Sequence, residues 1–302
     1  MALDPVRDDD ADRAQAAARR AMRVAGIDVR PAESLADLRR VREILDDVFR
    51  PSPGESEASL DLLVALAHTG QYLVLASDLS DGDHPTLGTS LGFFCAPTRS
   101  ALHSHATAVL EAGRGRQIGW ALKLHQRTWA LTRGLDSITW TFDPLIRRNA
   151  WFNLAKLGAR PTAFAIDFYG AIADAVNAGD ETDRLILSWQ LRSEPVVRAC
   201  DGAPLVSPVA DLLADGLPRL LETGPRGVPV RADLPPGARS GLVQLPPDIE
   251  SMRMADPALA LRWRRELRAV LIEAADHKLE VIGIGHEGWC VLGTAALERI
   301  AR

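Results

Sequence analysis

The alternation of apolar and polar residues predicts a soluble chain that begins with one strand and two helices. Residues 27–30 alternate in polarity like a short strand. Ser34 then provides an N-cap for a helix whose apolar residues recur on one face as far as Val48. A second amphipathic helix is predicted over residues 59–67 and ends near Gly70.

The same kind of pattern predicts a longer series of strands and helices after Gly70. Strands are predicted over residues 72–76, 86–96, 102–110, 137–142, 164–169 and 185–191. Helices are predicted over residues 118–132, ended by Gly134, and 147–157, closed by Gly158. This order of elements is typical of a mixed α/β protein.

The amino-acid composition changes near residue 195, where we expect a domain boundary. Residues 201–247 are rich in Pro and Gly and are expected to be irregular. A helix over residues 257–275 and two short strands, 280–284 and 289–292, follow. We therefore predict a charged tail over residues 1–22, which is compatible with a helix, a main domain over 23–195 and a smaller accessory α/β domain over 196–302.

Composition narrows the partners that the chain can have. The net charge is −5 and no Lys/Arg-rich block occurs, which argues against nucleic acid as a partner. Cys95, Cys200 and Cys290 lie far apart, as expected for a reducing compartment. The sequence contains no signal-peptide pattern and no apolar run of about 18 residues, so we predict a cytoplasmic protein that does not enter membranes.

The segment with the clearest chemistry joins the strand over 102–110 to the helix over 118–132. Gly113, Arg114, Gly115 and Arg116 form a glycine-rich turn before the helix start. Backbone N–H groups at a helix N-terminus, together with the helix dipole, suit a pyrophosphate. Taken alone, the turn is also compatible with an ordinary solvated loop.

This segment resembles motif A of the GNAT acyltransferases, a Q/R-x-x-G-x-G/A signature between the fourth strand and the third helix. Arg114 takes the first place and Gly119 the last, while Gln117 stands where the family usually has glycine. A second register, which starts at Arg116 and ends at Ala121, also satisfies the signature. The resemblance implies the GNAT fold, with a central mixed twisted sheet flanked by helices, and an acyl-CoA as cosubstrate.

Residues 149–159 resemble motif B of the same family, which lies along the pantetheine arm of CoA. Members of the family often have a Tyr at the place of Leu154, where it acts as general acid on the departing thiolate. That acid is missing here. The two motifs together imply that CoA is bound by Val109, Leu110, Arg114, Gly115, Arg116, Gln117, Ile118, Gly119, Trp120, Asn149, Asn153 and Lys156.

Finer features resemble a bacterial GNAT branch that occurs beside N-succinylamino acid racemases and o-succinylbenzoate synthases. Among them are His103-Ser104-His105, residues 140–145 and Tyr169-Gly170. Some members of that branch are linked to N-succinylation of amino acids. The resemblance thus adds succinyl-CoA to acetyl-CoA as an expected donor.

Amine acylation needs a group that removes one proton, and two histidines are candidates. His103 and His105 lie two residues apart on a strand and face the same side, with His105 nearer the loop and our first choice as base. Both are also compatible with simple hydrogen bonding in the interior. No third and fourth ligand stand at suitable spacing, so the His-x-His pattern predicts no metal site.

Further candidates each have a functional and a structural interpretation. Asp143 could hold a substrate ammonium or only end its strand, and Tyr169 could donate a proton to the CoA thiolate or only pack. Trp140 is a candidate border of the acceptor pocket or a core residue. Arg147 and Arg148 could bind a carboxylate or start a solvated helix.

Two functions are compatible with these patterns. The first is an N-acyltransferase that moves an acetyl or succinyl group to a small-molecule amine, for which an amino acid is expected. The second is a non-catalytic GNAT-like module that binds CoA or a metabolite, which Gln117 and Leu154 favour. The sequence leaves the oligomeric state open, and a homodimer is among the states that it allows.

Overall fold

The computed structural model of the chain describes residues 9–170 and 180–294. Residues 1–8 of the predicted tail, 171–179 and 295–302 lie outside the described residues. The chain forms two compact units. The first contains residues up to 140 together with 190–201, and the second contains 141–189 and the residues from 202 onwards.

The first unit contains a mixed sheet whose strands follow one another in chain order. Strands β1 to β4 are antiparallel neighbours, and β5 runs parallel to β4. The strands are β1 (Ile27–Pro31), β2 (Tyr72–Asp78), β3 (Thr86–Phe94), β4 (Ala101–Val109) and β5 (Ser137–Phe142), the last of which continues into the second unit. The helices are α1 (Asp9–Ala25), α2 (Leu35–Phe49), α3 (Leu60–His68), α4 (Ile118–Leu131) and α6 (Glu194–Cys200).

Helices cover both faces of this sheet because β2 is apolar on both sides. Leu73 and Leu75 pack with α2 and α3, whereas Tyr72, on the opposite face, contacts His125 of α4. Ile44 and Leu45 of α2 are fully buried, and each such side chain contributes about 1.5–3 kcal/mol. The predicted mixed sheet with flanking helices is confirmed.

Local signals in the sequence fix the ends of these helices. The hydroxyl of Ser34 accepts a hydrogen bond from the backbone of Asp37, whose carboxylate accepts one from the backbone of Ser34, so the predicted N-cap is a complete capping box. After α4, Gly134 adopts a positive φ of 71° and its N–H reaches the carbonyl of Leu131. The predicted helix end at Gly134 is therefore confirmed.

The second unit contains a hairpin and a five-stranded sheet. Strand β6 (Arg160–Ala165) pairs antiparallel with β7 (Arg184–Gln190). The five-stranded sheet has the order β11-β12-β10-β8-β9 and mixes one parallel pair with antiparallel pairs. Its strands are β8 (Arg219–Thr223), β9 (Pro229–Arg231), β10 (Ser240–Gln244), β11 (Glu280–Ile284) and β12 (Trp289–Gly293), and the helices of this unit are α5 (Arg147–Ala150), α7 (Val209–Ala214), α8 (Ile249–Ala255) and α9 (Pro257–Asp276).

Three sequence-based expectations differ from this structure. Residues 201–247 are not irregular, because short strands of three to five residues occur between their turns. The helix predicted over 147–157 is an α-helix only as far as Ala150, and it continues as a π-turn over Trp151–Lys156. The predicted strand over 164–169 lies earlier in the chain, at β6, and Tyr169 stands in the turn that follows it.

The division into units also does not follow the boundary expected near residue 195. The proline there begins α6, which packs in the first unit through Val196, Val197 and Cys200. Asp201 at its end accepts hydrogen bonds from Arg13 and Arg20 of α1. The residues predicted as a tail therefore include an ordered helix, since α1 starts at Asp9.

No helix within the described ranges is both long and apolar enough to span a bilayer.

Candidate active site

Strand β4 has a bulge at its centre. Ala106 pairs with Leu91 and Ser104 with Gly92, so His105 is an extra residue that has no paired residue on β3. A bulge bends its strand and interrupts the ladder of hydrogen bonds. The bulge therefore marks β4 as the irregular strand of the first unit.

On its other side, β4 accompanies β5 over only part of its length. The parallel ladder joins Ala101–His103 to Ser137–Thr139 and ends there, although β4 continues to Val109. Backbone groups of a strand that lack a neighbour are available to pair with another extended chain. In the first unit, the region beyond His103 is thus an opening in the sheet beside the bulge.

His103 and His105 lie on the same face of β4, as predicted. Their ring centroids are 6.4 Å apart, and both rings contact the ring of Phe93 on β3. Nδ1 of His103 lies 3.4 Å from the hydroxyl of Thr139 on β5. Burial lowers the pKa of both imidazoles, and the charges of His105 and Lys123 lower that of His103 further. Neutral imidazoles at pH 7 are able to accept a proton.

A loop between α2 and α3 brings a carboxylate to His105. Oε1 of Glu57 lies 3.9 Å from Nε2 of His105, and the two side chains are 29% and 34% exposed. Asp46 holds this loop, because its carboxylate accepts hydrogen bonds from the hydroxyl of Ser56 at 2.8 Å and the backbone N–H of Glu57 at 2.9 Å. Sequence reasoning did not identify Glu57, which no local motif marks.

The opposite face of β4 carries a buried polar group that sequence reasoning also missed. Nζ of Lys123 donates a hydrogen bond to the hydroxyl of Ser104 at 2.7 Å and lies 3.4 Å from Oε1 of Gln126. The ring of Trp140 lies 4.1 Å from the same nitrogen. The available signal was the i, i+3, i+4 spacing of Lys123, Gln126 and Arg127, three polar residues buried together on one helix.

This contact also locates Trp140, for which the sequence allowed either a place in the core or one at the border of the acceptor pocket. Trp140 is buried, and its ring lies on the Lys123 side of the sheet. His103 and His105 lie on the other side, towards Glu57. In the first unit, Trp140 therefore belongs to the interior beneath α4, not to the face that carries the histidines.

The glycine-rich segment after β4 has the geometry of a loop that feeds a helix. Residues Glu111–Gly113 form a short 3₁₀ turn, Gly115 has a φ of 79°, and Gln117 is the N-cap of α4 with a φ of 63°. Since left-handed backbone favours glycine, Gln117 occupies a place where glycine would be less strained. This geometry favours the register in which Arg114 begins the motif.

The first turn of α4 leaves backbone donors and space for a ligand. The amides of Ile118 and Gly119 have no intrahelical acceptor, and the turn contains no acidic residue. A Cβ atom built on Gly119 would meet no protein atom within 4 Å. The side chain of Ile118 is buried, whereas that of Trp120 is half-buried. An anion could approach these amides closely.

The arginines of the loop differ in their surroundings. The guanidinium of Arg116 pairs with Asp78 at 2.6 Å and reaches the carbonyl of Ala25, so its charge is balanced by a carboxylate. The hydrogen bond from Arg116 holds the pKa of Asp78 well below its usual range. Arg114 is exposed. The charge of Arg116 is therefore matched inside the protein, whereas the exposed Arg114 leaves its charge at the surface of the loop.

Val109 and Leu110, at the end of β4, contribute chiefly to packing. Leu110 packs against the core of α2 and α3, and its N–H donates to the carbonyl of Leu87. Val109 is half-buried and lies close to Gly113. These contacts fix the start of the loop.

In the second unit, Asp143 belongs to a buried ion-pair network. Both of its oxygens accept hydrogen bonds from Arg264 at 2.7 Å, and Arg253 donates to one of them. Burial raises the pKa of Asp143, but the hydrogen bonds and charges of Arg264 and Arg253 outweigh this and hold the pKa at about 2. Asp180 shares the same two arginines. The charge of Asp143 is thus matched inside the protein, which argues against its proposed role as partner of a substrate ammonium.

Tyr169 and Arg147 also lie in the second unit. Tyr169 is 47% exposed and its hydroxyl lies 3.1 Å from that of Thr141, so it is not the packed strand aromatic that was the alternative expectation. The side chain of Arg147 lies against Gly288, where an added Cβ would be 2.7 Å from its Cδ. Arg148 pairs with Glu250.

The motif B residues lie in and before the π-turn of the second unit. Asn149 and Lys156 are half-buried. Asn153 is buried, and its backbone carbonyl accepts a hydrogen bond from the backbone N–H of Ala159. Leu154 is buried and lines a small apolar cavity with Phe142 and Leu267 among others. The place of the family's Tyr is therefore part of the core of this unit.

The structure brings the predicted residues together in two groups, one in each unit. His103 and His105 share a face of β4, and the loop residues 114–120 follow directly from the end of that strand. Within the described ranges no three side chains among His, Cys, Asp and Glu converge as metal ligands do. The cysteines at 95, 200 and 290 are free thiols.

Comparison with known proteins gives matches among solved structures only. No family model matches the chain, and no curated protein sequence matches it. One match is a GNAT superfamily phosphinothricin acetyltransferase from Sinorhizobium meliloti, solved with AcCoA. It is 17% identical, with 54% of this chain and 87% of that chain covered and a TM-score of 0.43.

Two further acetyltransferases are similar to the same extent. The ribosomal-protein-S18-alanine N-acetyltransferase of Escherichia coli is 11% identical, with 55% of this chain and 95% of that chain covered and a TM-score of 0.43. A spermidine/spermine N-acetyltransferase from Vibrio cholerae is 12% identical, with 56% and 94% covered and a TM-score of 0.43. These identities and TM-scores are too low to carry an activity, a substrate or a residue role over to this chain.

Proposed function

We propose that the chain is an N-acyltransferase that moves an acyl group from an acyl-CoA to an amine. The observation that carries this proposal is the arrangement around β4 in the first unit. The strand is bulged at His105, separates from β5 after His103 and leads into a loop and helix start suited to an anion. One strand thus connects a candidate phosphate site with a candidate proton acceptor.

The opening beside β4 supports binding of the donor. The pantetheine arm of CoA is an extended chain with amide groups, and such a chain pairs with the free edge of a strand by β-augmentation. Its pyrophosphate would then reach the first turn of α4, where backbone donors and Arg114 favour negative charge. The motif B residues Asn149, Asn153 and Lys156 remain predicted contacts of the same cosubstrate.

His105 is the proposed general base, and Glu57 the group that attracts the acceptor. Amines are mostly protonated near pH 7, so a carboxylate beside the base would favour the ammonium form of the acceptor on arrival. His105 would then remove a proton, and the neutral amine would attack the thioester carbon. Orientation of two bound reactants supplies much of the rate in such direct transfers.

The identities of the acyl group and of the acceptor belong to the proposal as well. Acetyl-CoA is the general donor of the resembling family, and succinyl-CoA is implied by the narrower resemblance, with an amino acid as acceptor. Both donors are intracellular metabolites, so we also propose a cytoplasmic location. Arg147 and Tyr169 remain predicted contributors in the second unit.

Thermal unfolding with CoA, acetyl-CoA or succinyl-CoA tests the donor site. A ligand at 100 times its dissociation constant should stabilise the native state by about 2.7 kcal/mol. Arg114→Glu should weaken all three shifts, whereas Arg99→Glu, which changes an exposed arginine outside the loop in the same way, should leave them unchanged. Absence of any shift at millimolar ligand would contradict the proposal.

A second experiment separates an enzyme from a binding module. The release of free CoA is measured with acetyl-CoA or succinyl-CoA and a panel of the twenty amino acids and spermidine. His105→Ala should keep CoA affinity and lose roughly 10²-fold or more in rate, because general base catalysis contributes that much. A wild-type protein that binds CoA and turns over with none of these amines would favour the non-catalytic module, for which the buried Leu154 is the supporting observation.

A further inference from the structure

Lys123 is a buried cation with unusual partners. Its side chain is 6% exposed, and its recorded contacts in the described chain are the hydroxyl of Ser104, the amide oxygen of Gln126 and the ring of Trp140. None of these is an anion. Burial of an ammonium group without a carboxylate is costly, and desolvation lowers the pKa of Lys123 to about 7. Near neutral pH this side chain can therefore both hold and release a proton.

The position of this amino group in the first unit is also distinctive. The β4–β5 ladder ends at His103 and Thr139. Ser104 and Trp140, the contacts of Lys123, are the residues that directly follow these two positions. The amino group therefore lies beneath the point where the strands separate, on the face of the sheet opposite His105.

Two further observations show that the environment of Lys123 is incompletely satisfied. Nε2 of Gln126 is buried without a hydrogen-bond partner among the described residues. When Lys123 is charged and donates to Ser104, the hydroxyl proton of Ser104 remains available for another acceptor, and no such acceptor is recorded in the described chain. An unsatisfied buried polar group usually has a functional explanation or a missing partner.

We propose that Ser104 and Lys123 together deliver a proton to the sulfur of CoA as it leaves. This inference rests on the proposed acyltransferase function and supplies the acid that the sequence lacks at Leu154. When the C–N bond forms, the C–S bond breaks and its electron pair remains on sulfur. The hydroxyl of Ser104 gives its proton to the sulfur and takes one from the ammonium of Lys123.

The proton balance of a complete turnover then closes. His105 takes the first proton from the acceptor ammonium and passes it to solvent. It takes the second as the C–N bond forms, so the amide nitrogen ends neutral and one proton is released per turnover, because Lys123 regains one. Lys123 is left as a neutral amine and regains a proton through Ser104 after CoA has departed. Ser104 is the group that touches the sulfur, and Lys123 acts through it as a positioning and proton-supplying residue.

The ionisation of the thiol of bound CoA tests this inference without an acceptor. The ultraviolet absorbance of the thiolate is followed with pH in the complex of the full chain with CoA. We expect Lys123→Met to raise the apparent pKa of the bound thiol by about one unit or more, a tenfold change in its acid dissociation constant. Lys278→Met, the same change at an exposed lysine, should leave the thiol unchanged.

Variants of Ser104 distinguish a relay from a simple effect of charge. Ser104→Ala should raise the pKa of the thiol as Lys123→Met does, and the double variant should show no further change, because the two groups act as a unit. Ser104→Thr keeps the hydroxyl and should retain most of the wild-type behaviour. Thermal unfolding of each variant checks that the fold is intact.

The possible outcomes separate the two proposals. If CoA binds and its thiol ionises at the same pH in wild type, Lys123→Met and Ser104→Ala, the relay is refuted while the acyltransferase proposal stands. If CoA does not bind the wild-type chain, the acyltransferase proposal fails first. A shift in Lys123→Met that is absent in Ser104→Ala would also overturn the relay and leave only an electrostatic effect of the lysine.

Discussion

Replacing Gly119 by alanine should make the protein more stable and a poorer binder of CoA. Gly119 is the second residue of α4, its φ lies outside the left-handed region, and an added Cβ would meet no protein atom within 4 Å. Alanine is favoured over glycine in helices by about 0.5–1 kcal/mol. Since the site is near the helix end, we expect the free energy of unfolding to rise by about 0.5 kcal/mol.

The effect on binding should have the opposite sign. If a pyrophosphate lies against the first turn of α4, the space that is open in the free protein is the space that the phosphates occupy. A methyl group there would hold the anion away from the amides. We expect CoA to bind at least tenfold more weakly, which corresponds to about 1.4 kcal/mol.

Calorimetric titration with CoA and thermal unfolding without ligand measure the two effects separately. Gly82→Ala is the matched control, because an added Cβ at Gly82 also meets nothing and its φ is likewise unrestricted. It should change stability slightly and CoA affinity not at all. A Gly119→Ala variant that binds CoA as tightly as wild type would show that the phosphates do not approach this helix turn.

Three further predictions concern the network at Asp143, the base and the strained loop residue. Asp143→Asn should lower the free energy of unfolding by about 3–5 kcal/mol, because the buried Arg253 and Arg264 would then share a single carboxylate, that of Asp180, and denaturant titration measures this. Because folding lowers the pKa of Asp143, wild type should lose stability as the pH falls from about 4 to about 2, and the variant should lack this loss. The rate of acyl transfer should fall as the pH drops below 6.5, because burial lowers the pKa of His105 from 6.5 and a protonated base cannot accept a proton. It should also fall above pH 7, because Lys123, with a pKa of about 7, then loses the proton that it supplies; a rate that rises through pH 8 would contradict both assignments. Gln117→Gly should change the free energy of unfolding by less than about 0.5 kcal/mol, since relief of the left-handed φ offsets the entropy that glycine loses, whereas Gln117→Val should destabilise by about 1 kcal/mol or more in the same denaturant assay.

Much of the fold could be predicted because its signals are local. The order of elements from β1 to β7 follows from apolar spacing and turn residues, and Ser34 and Gly134 mark helix ends by their own chemistry. The π-turn at Trp151–Lys156 could not be predicted in this way, because a helix and a π-turn share the same apolar spacing over so few residues. Strands of three to five residues between Pro and Gly likewise carry too little periodicity to be found.

The same distinction between local and long-range signals applies to the candidate site. His103 and His105 could be paired from the sequence because residues two apart on a strand share a face. Glu57 could not be found, since its approach to His105 depends on a loop that Asp46 holds by contacts across ten residues of chain. The ion pairs of Asp143 could not be predicted for a related reason, because the arginines that neutralise it are more than a hundred residues away.

If the proposed acyl transfer takes place, strand β4 would let the two faces of the sheet carry different steps of it. The bulge at His105 and the early end of the β4–β5 ladder expose β4 to a donor from the side. One face then carries a neutral imidazole near a carboxylate, where a proton can be accepted from an amine. The other face carries a lysine whose burial makes it a proton donor near neutral pH, where a thiolate would otherwise depart with its charge unbalanced. A buried lysine without an anion is a costly feature for a core that could hold methionine at the same place. The proposed proton relay would account for the lysine beside Ser104, whereas a contribution to stability would not.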